Sequence, residues 1–322
     1  MRLASARSVL ERNRAVALAY VLVIVLAIFG EVVATGFLSL SHVDQLLIEA
    51  AFIALVAVGQ TFVILSGGID LSIPWVLNAS AVLLTVFANG SNAKTLWLIP
   101  LLVAGGAFVG VINGIGITFL RIPPIIMTLG MSSMVEGGLL LYTNGGSGGD
   151  APTGVVYLAT HRWGPVPVVG LVWVGVLVLT TVVLSLTPFG RRLYATGLNR
   201  RVAEFSGVNV RWVTVSVYVI SGAAAALAGI GLAGYVGESY LGMGDPYLFA
   251  SVAAVAIGGA SILGGTGNYV GTTAGALVLA VLAAILPILG FTQATLEIVY
   301  GCVILLAVSL SSLGLSSKRA LD

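Results

Sequence analysis

The chain has 322 residues; 58% are hydrophobic and only 8% charged, 14 basic against 12 acidic, for a formal net charge of +2. A soluble domain carries about 25% charged residues, and a mean hydropathy of +1.10 leaves too few charges to cover a soluble fold of this size. Soluble globular, disordered and collagen-like classes are excluded, and an all-α polytopic membrane protein is predicted, its 42 glycines letting spans approach closely.

A bilayer core takes about 20 apolar residues per helix. Charge-free runs predict spans over 15–30, 50–69, 71–93, 95–120, 163–190 and 212–237, with a further span over 122–143 interrupted only by Glu136. The uncharged stretch 246–296 is too long for one span. Gly258-Gly259 and Gly264-Gly265-Thr266-Gly267 divide it into a short span and a longer one, and the run 298–317 closes the series. The reading is a single transmembrane domain over 1–322 with about ten spans. The first run is expected to stay as a span, since no small-x-small cleavage site follows it.

Lysine and arginine set the orientation. Arg2, Arg7, Arg12 and Arg14 lie in segment 1–14, and Arg191, Arg192, Arg200, Arg201 and Arg211 in segment 188–212. Lys318 and Arg319 lie in segment 314–322. With an even span count these segments and Arg121 share one side, predicted cytoplasmic, while Lys94 and Arg162 fall outside. The loop 144–165 is then an outer loop, long enough to hold a short surface helix. Cys302, the one cysteine, sits in an apolar run and is expected to be a buried packing thiol.

Several chemistries lack their residues. There is no Gly-x-x-x-x-Gly-Lys-Ser/Thr loop, and neither Lys94 nor Lys318 follows glycine, so no ATP cradle is expected. No His-Glu-x-x-His and no cysteine pair suggest zinc. His42 and His161 fall in predicted outer loops, away from the membrane depth that a Ser–His hydrolase needs. No catalytic residue, metal, cofactor or nucleic-acid partner is expected, and any energy source would lie on another chain.

Four segments carry information. In Ser66-Gly67-Gly68-Ile69-Asp70-Leu71-Ser72-Ile73-Pro74, glycines, an acid and a proline interrupt the helix. Asp70 or Ser72 would cap the helix that Pro74 begins. The segment reads either as a tight structural turn or as a broken helix beside a substrate path. Gly242-Met243-Gly244-Asp245-Pro246-Tyr247 is a second such break. Ala79-Ser80-Ala81-Val82 after the first is echoed by Ala250-Ser251-Val252-Ala253 after the second, as an inverted repeat of spans 2–5 and 7–10 would give. In the loop 190–210, Asn199 would cap a short helix that ends at Gly207. Its apolar Val202, Ala203, Phe205 and Ser206 and its polar Arg200, Arg201 and Glu204 fall on different faces. It is either a positive-inside anchor or a docking helix for a soluble partner. The fourth segment, Ala256 to Asn268, is rich in small residues that permit close backbone approach.

In order, these stretches resemble the membrane permease of bacterial carbohydrate ABC importers of the ribose/xylose/arabinose/galactose type. The matching residues run from Gly59-Gln60-Thr61-Phe62 to Ile69-Asp70-Leu71-Ser72, then Pro124-Ile125-Ile126-Met127-Thr128-Leu129-Gly130-Met131, then the 190–210 loop, then Ala254 to Thr272. The resemblance spans roughly 45–315. It departs at Ile73-Pro74-Trp75, where the family usually continues Val-Gly, and at Glu136-Gly137-Gly138, near which the family often has arginine.

The resemblance implies a permease in the inner membrane, moving a sugar or sugar-like solute by alternating access. Its implied partners are cytoplasmic ABC ATPase subunits, a soluble periplasmic or extracellular solute-binding protein and a second permease copy or related subunit, all within membrane lipid. It makes 190–210 the ATPase-coupling loop, with Arg191, Arg192, Gly197, Asn199, Arg200, Arg201, Glu204, Phe205 and Gly207. Expected path residues are Asp70, Ser72, Asn78, Asn113, Thr128 and Glu136; hydrogen bonding between helices is the competing role for them. The alternatives are an ion-coupled secondary transporter using Asp70 or Glu297 as its carboxylate, and a non-transporting scaffold.

Overall fold

The computed structural model describes the backbone of residues 2–319 other than 147 and 165, and the side chains of residues 14–309 other than those two. The charges of Arg2, Arg7, Arg12, Lys318 and Arg319, and Ser147 and Pro165 of the predicted outer loop, lie outside these described residues. In chain order the elements are α1 (Arg2–Val33), α2 (Leu40–Leu65), α3 (Ile73–Ala88), α4 (Asn92–Thr118), α5 (Pro124–Thr143) and α6 (Thr153–Thr160). A two-stranded antiparallel hairpin follows, β1 (Arg162–Trp163) and β2 (Val166–Pro167). Then come α7 (Val168–Leu186), α8 (Pro188–Leu198), α9 (Arg200–Phe205), α10 (Val210–Val236), α11 (Tyr247–Ile257), α12 (Tyr269–Ile288) and α13 (Gln293–Arg319).

Among the described residues, seven helices are long and apolar enough to cross a membrane: the Arg14–Val33 part of α1, then α2, α4, α5, α7, α10 and α12. Three shorter apolar helices accompany them, α3, α11 and the Gln293–Ser309 part of α13. The protein is an all-α polytopic membrane protein; the small hairpin sits at one end of α7.

The centre is built from α2 and α10, which are buried along most of their length. Helix α10 lies on α4 because α4 carries Gly106, Gly110 and Gly114 at four-residue spacing, which puts them on one face. A Cβ on Gly110 would strike the carbonyl of Tyr218, and one on Gly222 would strike that of Gly106. Such backbone-to-backbone approach needs glycine. On the other side of α2 the packing is fastened by side chains. Thr61 and Thr272 hydroxyls lie 3.1 Å apart, and the Tyr269 hydroxyl donates to the Ala54 carbonyl (2.8 Å). Helices α1, α5 and α7 turn large apolar side chains outward, such as Leu18, Ile126 and Leu179.

The structure revises several sequence expectations. The third predicted span, 71–93, is helical only from Ile73 to Ala88, because Pro74 sits in its first turn and Asn89 closes it in the left-handed region at φ 45°. The span predicted from 163 starts at Val168, since the hairpin takes the preceding residues. The loop 188–212 holds two helices, α8 as well as the expected α9. Cys302 is exposed, not buried. In a lipid-facing protein the outer face is as apolar as the core, so an apolar run does not distinguish them.

Candidate functional site

Helix α2 stops where Gly67 enters the left-handed region at φ 87° and Gly68 follows. Gly68 lies against the Tyr218 hydroxyl, which has no hydrogen-bond partner among the described residues. The chain then turns inward, leaving Asp70 only 2% exposed. A buried carboxylate is stable only when hydrogen-bond donors surround it, and Asp70 has three. Its Oδ1 accepts from the Ser72 amide (2.9 Å) and the Ser72 hydroxyl (2.6 Å), and its Oδ2 accepts from the Ser221 hydroxyl on α10 (2.7 Å). Asn113 on α4 donates from Nδ2 to the Ser72 hydroxyl (2.9 Å), extending the chain of donors. Thr128 on α5 donates to the carbonyls of Pro124 (2.9 Å) and Ile69 (3.4 Å). The break between α2 and α3 is thereby tied to α4, α5 and α10.

The second break, between α10 and α11, meets the first. Gly237 ends α10 in the left-handed region at φ 88°. Met243 is buried, and Gly244 is pressed so close to Pro74 that a Cβ would strike the Pro74 carbonyl. Asn78, fully buried on α3, donates to the Tyr240 carbonyl (3.0 Å) and accepts from the Gly242 amide (2.7 Å), holding this segment down. Partial burial raises the Asp245 carboxyl above its ordinary range. Glu136 on α5 is half-buried.

The basic end is organised around three turns. Gly197 at the end of α8 packs against the Leu65 carbonyl and the Gly265 amide so tightly that no Cβ fits. The Gly265 amide donates to the Leu65 carbonyl (3.0 Å), and the Tyr194 hydroxyl donates to the Gly267 carbonyl (2.8 Å). So α8 rests on both the turn ending α2 and the glycine-rich turn before α12. Asn199 caps α9 by accepting from the Val202 amide (3.1 Å), and Gly207 follows α9 at φ 79°. Arg191, Arg192, Arg200 and Arg201 are exposed, as is Glu204, which lies 3.6 Å from Arg200. Of the apolar α9 residues Ala203 is buried, but Val202 and Phe205 are 58% and 91% exposed.

At the opposite end, Arg162 of β1 pairs with the buried Asp44 on α2. The Ala151 amide donates to the Gly237 carbonyl (2.9 Å), joining the 144–165 segment to the 237–246 segment.

Sequence reasoning identifies Asp70, Ser72, Asn113 and Thr128 one by one; the structure brings them together. Ser72 has no capping hydrogen bond to the α3 amides, and its hydroxyl relays Asn113 to Asp70 instead. Asn78 belongs to the neighbouring contact with 240–242, and Glu136 stands apart. Ser221 and Tyr218 escape sequence reasoning. Their three-residue spacing places them on one helix face, but Thr214 and Ser216 in the same span keep the pair from standing out.

A helical membrane body with paired helix breaks at its centre and a basic, partly apolar face at one end defines a class, the multi-pass membrane permease. Residues 42–308 match the family described as branched-chain amino acid transport system / permease component, and the chain belongs to that family. It is 35% identical to the ribose import permease protein RbsC of Bacillus subtilis, over 90% of this chain and 89% of that protein. It is 32% identical to the fructose import permease protein FrcC of Rhizobium meliloti, over 90% and 83%. It is 30% identical to the autoinducer 2 import system permease protein LsrC of Salmonella typhimurium, over 91% and 84%. No solved structure matches the chain.

Proposed function

We propose that this chain is the membrane-spanning subunit of an ABC importer that carries a sugar or sugar-like solute across the inner membrane by alternating access. Separate cytoplasmic ATPase subunits supply the energy. The observation that carries this reading is likeness along nearly the whole chain to three import permeases, two named for sugars and one for autoinducer 2. The end bearing α8 and α9 is cytoplasmic, as are both termini, and α8–α9 couples the ATPases to the body. Support comes from the rigid seat of Gly197 on Leu65 and Gly265 combined with the outward-facing Phe205. The solute-binding protein docks at the other end, on α6, the hairpin and the 237–246 segment; Ala151 and Gly237 support this by joining the two segments.

The ten-span reading counts the seven long helices together with α3, α11 and α13. The repeat is supported by reciprocal packing: α10 lies on α3 and α4, as α2 lies on α11 and α12. A second permease copy covers α5. That helix presents Glu136 half-exposed and Gly130, Gly137 and Gly138 with open space beside them. A charge facing lipid costs about 3 kcal/mol near the bilayer centre, so a water-lined path or a partner suits this face better than lipid does.

The ion-coupled alternative is less favoured, because both Asp70 oxygens already accept from the chain's own donors. The test is reconstitution. Vesicles holding the permease, its ATPases and loaded binding protein should take up sugar only with ATP. Uptake by the permease alone, driven by an ion gradient, would remove the proposal.

A further inference from the structure

A cavity of about 560 Å³ opens at the basic end between the α4–α5 turn, α9 and the start of α10. Its walls include Arg121, Arg200 and Arg211, one from each of these elements, with Glu204, Thr118 and Gly67. Arg200 has Glu204 at 3.6 Å. Among the described residues no carboxylate pairs with Arg121 or Arg211. The Arg211 guanidinium lies 5.8 Å from the centre of the Phe119 ring, which holds it at the end of α4. Thr118 is only 8% exposed, yet its hydroxyl has no hydrogen-bond partner among the described residues.

Arg121 adds a second kind of observation. It sits in the left-handed region at φ 58°, in a turn closed by the Ile122 amide on the Gly116 carbonyl (3.2 Å). Asparagine or glycine would adopt that conformation at lower energy, so the position holds arginine against its backbone preference. Backbone strain of this kind gathers where a side chain has work to do.

We propose that this cavity is a socket for an acidic side chain of the cytoplasmic ATPase, which makes the α4–α5 turn a second docking element beside α9. The proposal rests on the coupling reading above and names the chemistry of the partner surface: a carboxylate next to an apolar recess. Charge complementarity selects the carboxylate, since three arginines and an unpaired hydroxyl face one glutamate. The recess is called for by Leu198, Val202 and Phe205 beside the socket, 66%, 58% and 91% exposed on a segment outside the spans. A lipid phosphate would satisfy the arginines but would leave these side chains in water. Because Pro123 and Pro124 form part of the wall and Pro124 begins α5, ATPase movement acts on α5 directly through this socket.

The test uses the full permease–ATPase complex in nanodiscs, made once with phosphatidylcholine alone and once with added phosphatidylglycerol. Arg121→Ala and Arg121→Glu should each weaken ATPase retention about tenfold or more at low salt. Arg121→Lys should keep most of it, and the salt dependence of retention should flatten in Arg121→Ala. Thermal midpoints in detergent identify any variant that has merely failed to fold, and Arg211→Ala then serves as the independent second variant. If the effect appears only with phosphatidylglycerol, the occupant is lipid and the proposal falls. If Phe205→Asp releases the ATPase while the Arg121 and Arg211 variants do not, the socket is wrong and the coupling reading stands. If neither Phe205 nor the arginines matter, both readings fall.

Discussion

The Asp70 break and the α8–α9 face lie at two ends of the same short turn, Leu65 to Ser72, and they solve opposite problems. Around Asp70 the chain supplies its own partners. Ser72 and Ser221 donate to the carboxylate, Asn113 donates in turn to the Ser72 hydroxyl, and glycines on α4 and α10 bring those donors within reach. Around α9 the chain withholds them: Phe205 points away from the body, and Arg121 and Arg211 line a cavity but, among the described residues, pair with no carboxylate. A buried carboxylate needs its donors inside the same molecule, because a polar group left unmet there costs about 1–3 kcal/mol. A surface left with apolar and charged groups together is instead completed by a second molecule.

This contrast can be broken first at its tightest point. Gly110→Leu should drive a side chain into the Tyr218 main chain and destabilise the fold by about 3 kcal/mol or more, seen as loss of monodisperse protein in detergent. Gly130→Leu on α5, with open space around it, should leave the thermal midpoint nearly unchanged. Asp70→Ala comes next. It strands the Ser72 and Ser221 donors in the interior, for about 2–3 kcal/mol, while Asp70→Asn, which keeps one acceptor oxygen, should lose roughly half as much. Equal midpoints for the two variants would show that the network contributes little.

The basic end should respond differently. Gly207→Ala places a side chain in the left-handed region, a penalty of about 1–2 kcal/mol local to the loop. Its larger effect should be functional, with ATP hydrolysis continuing while sugar uptake falls. Asn199→Ala removes the cap on the Val202 amide, worth about 1 kcal/mol. Hydrogen exchange at Val202 should quicken while the rest of the chain keeps its protection. If either substitution lowered the global midpoint as much as Asp70→Ala does, the two regions would not differ in kind.

Much of the fold is legible in the amino-acid sequence. Pro74 and the Gly67-Gly68 pair announce a break, and α3 begins there. Asn199 and Gly207 announce the limits of α9, and the cap and the left-handed glycine stand at those two positions. Helix α8 is not legible, because Arg191, Arg192 and Gly197 look like a loop until the turns at Leu65 and Gly265 supply a surface to lie on. The role of Ser221 is hidden as well, since it looks no different from Thr214 and Ser216 of the same span until Asp70 is found opposite it. Cys302 reads as buried, and is exposed, for the reason that governs all lipid-facing helices: periodicity in hydrophobicity fades when both faces are apolar.

Composition and the spacing of charge-free runs determined by themselves that this protein is a bundle of membrane helices with its positive charge gathered in a few loops. Lipid enforces that outcome, because every backbone polar group at membrane depth must be satisfied inside the protein, and a helix does this with its own residues. Which polar residues meet, and which arginines converge, was decided only by tertiary structure. Those meetings join α2, α3, α4 and α10, residues far apart in the chain, through backbone approaches that glycine permits but does not by itself specify.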